Sequence, residues 1–145
     1  MSDVLTLSQI RVPGTARTKD DAIREAGEML VEAGAVTPAY IDSMFERERS
    51  VSTYMGNYLA IPHGTNESKE SIKRSALSVI RYDQPIDWDG NEVRFALGIA
   101  GYQGGHMDIL SRVAIVFSDT DEVDKLLAAG SAEEIYDLLN AVNEE

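Results

Sequence analysis

Residues 58–64 read YLAIPHG, an apolar run that ends in a proline and is followed by a histidine and a glycine. Proline cannot donate a hydrogen bond to a sheet and favours an extended residue before it, so a strand is expected to end at Ile61. His63 would then lie at the carboxyl end of that strand, where open α/β sheets bind ligands, and Gly64 would leave space beside the imidazole. This stretch therefore predicts a histidine that is presented to a partner group.

The spacing of apolar residues predicts the other strands and the helices of the domain. Apolar residues at strand spacing predict two further strands, at 75–82 and 93–100, separated by a turn-rich segment at 83–92. Helical spacing predicts five helices, at 18–34, from Pro38 onward, and at 106–117, 121–129 and 131–143. Helices before, between and after strands indicate an α/β fold, a mixed sheet of about four to five strands with helices on both faces.

Capping residues indicate where several of these helices begin and end. Thr18 and Thr37 are suited to cap the first two helices, and Gly34 is suited to end the first. Ser131 and Glu134 have the spacing of a capping box at the start of the last helix. We expect residues 50–57, which include serine, threonine, glycine and asparagine, to form a loop.

Composition limits the class of protein. The chain has 145 residues, of which 43% are hydrophobic and none is cysteine, so we expect a single domain over 1–145 without disulfides or thiolate metal sites. Its longest apolar run, VAIVF at 113–117, is far too short to cross a bilayer, and its start lacks the features of a signal peptide. We therefore expect a cytoplasmic protein with no direct membrane insertion.

The charge of the chain is strongly acidic but uneven. A formal net charge of -12 makes nucleic acid an improbable partner, because phosphate backbones are repelled by such a surface. Residues 47–81 run against this trend, with six basic and three acidic side chains around His63, whereas 119–145 contain nine acidic residues and Lys125 alone. We keep the concentration of basic residues near His63 as a notable feature, although such charges commonly only solvate helix faces.

The two histidines suggest a nucleophile, His63, and a second ring that assists it, His106. No Ser-His-Asp or Cys-His nucleophile pair is visible in the sequence, and His63 and His106 lack the short spacing of a metal site. His106 is expected to begin a helix, where backbone N–H groups and the helix dipole favour an anion. A phosphoryl group between the two rings would meet donors on several sides. The alternative is a metal-binding module in which Glu67 or Asp108 joins the histidines.

Two further features of the predicted site remain open at this point. On a helical wheel Arg47 borders the apolar face of the second helix beside Tyr40, and Arg49 lies on the opposite border, so spacing does not choose between these arginines. A histidine that is presented to a protein partner would also need an apolar rim around it. Its candidates, for which core packing is an equally good explanation, are Tyr54, Met55 and Tyr58.

The order of motifs along the chain resembles a known family. TYMGNYLAIPHGT at 53–65 is preceded by FERE at 45–48 and followed by FALGIA at 95–100 and then by His106. Together with the helical stretch DDAIREAGEMLVEAGAVTPAYIDSMFERE, this order is similar to the enzyme IIA component of the sugar phosphotransferase system, within which it most resembles the mannitol class. The similarity extends from about residue 4 to about residue 143.

The resemblance implies a phosphocarrier. His63 would accept a phosphoryl group on Nε2 from the phosphohistidine of HPr and pass it to a cysteine of the cognate enzyme IIB of the mannitol permease. Arg47 would correspond to the arginine beside the phosphorylated histidine, and His106 to the second histidine, which steadies the transition state. No cofactor and no metal are expected. The alternative is a regulatory IIA-like domain whose histidine phosphorylation controls another protein.

Overall fold

A computed structural model describes residues 4–65, 70–102 and 106–140 of the chain. They form a mixed α/β domain with five strands: β1 (Ile10–Arg11), β2 (Tyr54–Gly56), β3 (Leu59–Ala60), β4 (Ala76–Trp88) and β5 (Asn91–Ala100). The helices are α1 (Lys19–Glu32), α2 (Ala39–Ser50), α3 (His106–Phe117), α4 (Thr120–Ala128) and α5 (Ala132–Leu139), and a 3-10 turn covers Leu7–Gln9. No helix in these described ranges is both long and apolar enough to cross a membrane.

The sheet has the order β1-β4-β5-β3-β2. Its centre is the antiparallel pair β4–β5, flanked by β1 parallel to β4 and by β3 parallel to β5, with β2 antiparallel to β3 at the edge. Alternate residues of β5 enter two separate cores: Leu97 packs with α3, α4 and α5, and Ala96 packs with α1 and α2. The prediction of a mixed sheet with helices on both faces is therefore confirmed.

Close packing of α1 on the sheet depends on Gly98 in β5. A Cβ built on Gly98 would lie 2.5 Å from the Ser78 hydroxyl oxygen and 3.1 Å from the backbone oxygen of Ala26 in α1. Ser78 in turn donates a hydrogen bond to that Ala26 oxygen at 2.9 Å. The absent side chain thus lets the α1 backbone approach the sheet closely.

The predicted helix caps are confirmed at three of four places. Thr18 accepts a hydrogen bond from the Asp21 N–H, and Ser131 accepts one from the Glu134 N–H. Gly34 follows α1 with a φ of +76°, a conformation that favours glycine. The prediction for Thr37 was wrong: α2 begins at Ala39, its N-cap residue is Pro38, and proline has no side-chain group with which to cap.

The turn-rich interpretation of residues 83–92 was also wrong. Strand β4 continues through Trp88, and β5 already begins at Asn91, so only Asp89 and Gly90 form the turn. Both have positive φ, 55° and 94°, as a type I′ hairpin turn requires. Pro85 is accommodated because the β4–β5 register shifts between Arg81 and Ile86, where no ladder hydrogen bond from Pro85 is needed.

Two short strands lie where the sequence predicted none. Residues 50–57 were expected to be a loop, but β2 forms there and pairs with β3, with Tyr54 opposite Ala60. Strand β1 contributes only two residues and pairs with Val79 and Ile80 of β4. Strands this short show no periodicity in sequence, because their formation depends on pairing with distant residues.

Candidate active site

His63 lies immediately beyond β3, at the carboxyl end of the parallel pair β3–β5. The backbone of His63 forms an isolated parallel bridge with Ile99, and the Ile99 N–H donates to the Pro62 carbonyl at 3.1 Å. Proline 62 is itself buried, whereas His63 is half-buried. The chain thus stays in register with β5 past the end of β3 and places the imidazole at the edge of the sheet.

One hydrogen bond identifies the tautomer of the His63 ring. Nδ1 lies 2.8 Å from the backbone oxygen of Ile61, two residues earlier. A carbonyl oxygen can only accept, so Nδ1 carries the proton and donates it. In the neutral ring the lone pair is then on Nε2, which makes Nε2 the nucleophilic nitrogen.

Helix α2 holds the segment that follows the histidine. The Tyr40 hydroxyl accepts from the Gly64 N–H at 2.9 Å and donates to the Ile99 carbonyl at 2.7 Å. One turn further along α2, the Ser43 hydroxyl accepts from the Thr65 N–H at 2.8 Å. Both contacts come from one helix face, so α2 positions the backbone on the carboxyl side of His63.

The Tyr40 hydroxyl is suited to this bridge because it stays protonated. Burial raises the pKa of Tyr40 to about 12, and the hydrogen bond from Gly64 opposes that rise only in part. The phenol can therefore donate to Ile99 and accept from Gly64 at any physiological pH. We had predicted Tyr40 only as an inward-facing core residue, and Ser43 was missed because a serine on a helix carries no signal of its distant partner.

The two candidate arginines of α2 differ in their surroundings. Arg47 lies four residues after Ser43, hence on the face that holds residues 64 and 65, and it is half-buried. Its guanidinium Nη1 donates to the Val51 carbonyl at 2.8 Å, just beyond the end of α2. Arg49 is exposed and lines a small surface pocket with Lys19, Asp20, Ile23, Phe45 and Glu48.

The second histidine is placed by its backbone only. His106 is the first residue of α3, which follows β5 at the same sheet edge as His63. The side chain of His106 lies outside the described residues, as does Glu67. Asp108 lies in the first turn of α3 and is exposed. Among the described residues, no group of three or more histidine or acidic side chains could hold a metal ion.

Two arginines of the basic window at 47–81 donate to backbone carbonyls in other parts of the chain. Arg81 is buried in the sheet, where its guanidinium donates to the carbonyls of Leu127 and Ala129 and pairs with Asp83 at 3.1 Å. Arg74 donates to the Ala33 carbonyl at 2.7 Å. These arginines fix chain segments by hydrogen bonds to backbone, a use that a count of charges cannot detect. Lys69, which belongs to the same window, lies outside the described residues.

The three candidates for the apolar rim differ in exposure: Tyr54 is half-buried against the core that contains α1 and α2, whereas Met55 and Tyr58 are exposed. The Tyr58 carbonyl accepts from the N–H groups of Arg94 and Phe95, in the middle of β5. His63 is bridged to Ile99 near the end of that strand, roughly 13 Å further along. The edge that carries His63 has other exposed apolar side chains, from the ends of α2 and β5 and the start of α3: Val51, Tyr102 and Met107.

Comparisons with known proteins agree over almost the whole chain. A family model described as "Phosphoenolpyruvate-dependent sugar phosphotransferase system, EIIA 2" matches residues 3–142. The chain is 52% identical over 141 residues to a protein of Halalkalibacterium halodurans named "Mannitol-specific phosphotransferase enzyme IIA component", and this match covers 97% of both chains.

Solved structures show the same fold. One is a "Complex of enzyme IIAMTL and phosphorylated enzyme IIBMTL from Escherichia coli". A chain of this complex superposes on the protein with a TM-score of 0.89 at 29% identity, and the match covers 94% of this chain and 97% of the chain in the complex. The "Nitrogen Regulatory Protein IIA-Ntr from Neisseria meningitidis" superposes with a TM-score of 0.81 at 29% identity, with coverage of 94% and 96%.

Proposed function

Because the chain belongs to the EIIA 2 family of the phosphoenolpyruvate-dependent sugar phosphotransferase system, we propose that His63 is the residue on which it carries the phosphoryl group. The protein is an enzyme IIA phosphocarrier, a phosphotransferase component that receives a phosphoryl group from phospho-HPr and passes it to enzyme IIB. Mannitol is the sugar named for its relatives. We extend the proposal to residues 1–145 as one IIA domain that works in the cytoplasm.

The observation that carries the assignment is the hydrogen bond from His63 Nδ1–H to the Ile61 carbonyl at 2.8 Å. It supports attack by the Nε2 lone pair on the phosphorus of phospho-HPr. The bond from phosphorus to the donor imidazole breaks as the bond to Nε2 forms, and the electron pair leaves with the donor ring. In the second transfer a cysteine thiolate of enzyme IIB attacks phosphorus, and the electron pair returns to Nε2.

Arg47 and His106 are proposed to stabilise the charge that spreads over the equatorial oxygens during transfer. The position of Arg47 on the α2 face that holds residues 64 and 65 supports its role. For His106 the support is the start of α3 at the same sheet edge, where helix N–H groups and the dipole also favour an anion. Phosphohistidine is already a reactive donor, so neither nucleotide nor metal is assigned to the reaction.

Partner proteins would meet the sheet edge that presents His63. Val51, Tyr102 and Met107 are exposed to 64%, 46% and 59%, and lie at this edge. Exposed apolar side chains beside a reactive group are suited to brief contacts with two partners in turn. We propose that these three residues belong to the surface on which HPr and enzyme IIB dock.

The test is a reconstituted relay. Phosphoenolpyruvate labelled with ³²P, enzyme I, HPr, this protein and a mannitol enzyme IIB are mixed, and the label on each protein is followed after separation. We expect label on this chain that is labile in acid and stable in base, followed by label on enzyme IIB. Label that never reaches this chain would refute the phosphocarrier assignment.

A different result separates the regulatory alternative. Label that reaches His63 but passes to none of the enzyme IIB proteins of the source organism would favour a domain that signals through its phosphorylation state. The 52% identity over 141 residues to a protein named as a mannitol-specific component favours the relay.

A further inference from the structure

We propose that Glu48 is a positioning residue for the phosphoryl-transfer site, and that it acts on His63 through Thr53. The proposal rests on the assignment of His63 as the phosphoryl acceptor. It concerns a buried carboxylate in the last turn of α2. Its effect would be to fix the ring tautomer on which nucleophilic attack depends.

Glu48 is a buried carboxylate, only 6% exposed, in which both oxygens accept hydrogen bonds. Oε2 accepts from the Thr53 N–H at 2.9 Å and from the Trp88 indole N–H at 3.1 Å. Oε1 accepts from the Thr53 hydroxyl at 2.5 Å. Lys19 Nζ lies 3.7 Å from Oε2 and provides the nearest countercharge. Two of these bonds hold one residue, so Thr53 is fixed at both its backbone and its side chain.

From Thr53 a chain of hydrogen bonds leads to the imidazole. The Thr53 carbonyl accepts from the Ile61 N–H at 3.0 Å. The carbonyl of Ile61 then accepts from His63 Nδ1–H at 2.8 Å. Because Ile61 is joined to Thr53 on one side and to His63 on the other, a shift of Thr53 would move the carbonyl that holds the ring proton.

The same turn is connected to the proposed catalytic arginine. Arg47 Nη1 donates to the Val51 carbonyl at 2.8 Å, two residues before Thr53. Glu48, the next residue of α2, accepts from Thr53, so the two neighbouring side chains hold the same turn at Val51 and at Thr53. Fixing this turn thus fixes the guanidinium of Arg47 and the imidazole of His63 relative to each other, which catalysis by positioning requires.

The chemistry of Glu48 offers a conservative variant that keeps the geometry. In Glu48→Gln the amide oxygen can replace Oε2 and accept from the Thr53 N–H and the Trp88 indole. The amide nitrogen can replace Oε1 and donate to the Thr53 hydroxyl, which accepts as readily as it donates. Lys19 keeps its 2.8 Å partner Asp89. Glu48→Ala removes all of these acceptors.

The experiment compares the unphosphorylated variants by ¹⁵N NMR of the imidazole and then by rapid-quench uptake from phospho-HPr. In the parent we expect the His63 signals of an Nδ1–H tautomer. In Glu48→Ala we expect a mixture of both tautomers and uptake slowed by roughly tenfold to a hundredfold. Glu48→Gln should restore the parental tautomer and a rate close to the parental one.

Glu25→Ala is the matched control, because Glu25 is a second buried carboxylate, bonded to residues of the N-terminal segment and β4. This variant should melt at a lower temperature yet keep the parental tautomer and rate. If Glu48→Ala also keeps both, Glu48 only stabilises the fold and the proposal is wrong. If Glu48→Gln takes up the phosphoryl group as slowly as Glu48→Ala, the negative charge of Glu48 matters and not its hydrogen bonds to Thr53. That result would also contradict the proposal.

Thr53→Val replaces Glu48→Ala if the latter does not fold. It removes the hydroxyl bond to Oε1 but keeps the N–H and the carbonyl of residue 53, so a smaller tautomer shift in the same direction is expected and an unchanged tautomer would contradict the proposal. The NMR measurement needs no phosphoryl donor. A parent that has the Nδ1–H tautomer but takes up no phosphoryl group would therefore refute the proposed function separately from the role of Glu48.

Discussion

Two buried carboxylates in adjacent helices, Glu25 in α1 and Glu48 in α2, provide a comparison within one molecule. Both are nearly inaccessible, at 5% and 6% exposure, and each accepts several hydrogen bonds from the protein. Glu25 accepts from Arg11, from the N–H and hydroxyl of Thr15, from the Ala16 N–H and from the Tyr82 hydroxyl. Its partners thus join the N-terminal segment to α1 and β4.

Glu48 likewise accepts several hydrogen bonds as a buried carboxylate, but its partners lie elsewhere in the fold. Its bonds to Thr53 hold the turn between α2 and β2, from which hydrogen bonds lead to His63. The difference lies in what each carboxylate holds, since Glu25 holds a segment remote from the proposed chemistry. The burial of a carboxylate and the number of its hydrogen bonds therefore do not show whether it stabilises the fold or positions the site. The segment that its hydrogen-bond partners hold does.

The largest expected effect is the loss of the nucleophile. His63→Ala should accept no phosphoryl group, because we assign no other residue that could form the bond to phosphorus. Glu25→Ala, from the other region, should accept one phosphoryl group per chain. Intact mass after incubation with enzyme I, HPr and phosphoenolpyruvate measures both. Phosphorylated His63→Ala would place the reactive residue elsewhere.

Loss of a charge-stabilising donor should come next. Arg47→Ala and His106→Ala should remain phosphorylatable but slow uptake by about 10²–10³-fold, the usual cost of removing one such donor. Rapid-quench kinetics measures the rate, and circular dichroism is expected to show an unchanged fold. Arg49→Ala is the matched control for Arg47, because Arg49 is exposed on the same helix. Equal slowing of the Arg47 and Arg49 variants would remove Arg47 from the proposed mechanism.

Tyr40→Phe should have a smaller effect on rate. It removes the hydroxyl that joins the half-buried Gly64 N–H to the buried Ile99 carbonyl and leaves both groups without that partner. We expect a loss of about 1–3 kcal/mol in the free energy of unfolding and roughly tenfold slower uptake or less. Urea unfolding and rapid-quench kinetics measure the two quantities. Unchanged stability would show that the bridge does not contribute.

Glu25→Gln sharpens the comparison because it should affect stability and leave the rate unchanged. Burial would raise the pKa of Glu25, but hydrogen bonds from Thr15, Arg11 and Tyr82 outweigh it and lower the pKa from 4.5 to about 2. The ionised form therefore stabilises the fold above about pH 4.5, and this contribution is lost as pH falls toward 2.

In the parent this pKa difference contributes about 3 kcal/mol of unfolding free energy at neutral pH. Urea unfolding at several pH values should show a steep loss of stability between about pH 4.5 and 2 in the parent and a flatter profile in Glu25→Gln. Identical profiles would mean that another carboxylate dominates acid unfolding.

The smallest expected effect is that of removing metal ions. Excess EDTA should leave phosphoryl exchange between phospho-HPr and this protein unchanged, because the proposed donors are side chains and backbone amides. Exchange rates measured with and without EDTA test this. Abolition by EDTA and rescue by added zinc or magnesium would contradict the proposal.

Sequence patterns predicted the parts of the fold that have periodic apolar residues or clear capping residues. Helix α3 occupies 106–117 as its apolar spacing predicted, and Ile109, Val113 and Phe117 are buried. The hairpin at Asp89–Gly90 was missed although an Asp-Gly pair between Trp88 and Val93 is a recognised hairpin signal. Pro85 and its polar neighbours favoured a loop over 83–92, because the register shift that lets β4 continue past Pro85 has no signal in the sequence.

The candidate site was predicted only where a residue carries its own signal. His63 stands out by its proline and glycine neighbours, whereas Arg47 is chosen over Arg49 by the family resemblance, because helical spacing does not separate them. Glu48 could not be separated from other acidic residues of α2, because its partners Thr53 and Trp88 are brought to it by the fold. Long-range hydrogen bonds leave no local pattern in sequence.

The central claim is that His63 carries the phosphoryl group on Nε2 while Nδ1–H remains bonded to the Ile61 carbonyl. Phosphorus-31 and long-range ¹H–¹⁵N NMR of the protein, phosphorylated by phospho-HPr and labelled with ¹⁵N at histidine, measures this directly. We predict phosphorus coupling to His63 Nε2 and a protonated Nδ1. Coupling to Nδ1, or phosphorylation at His106 with His63 unmodified, would contradict the account.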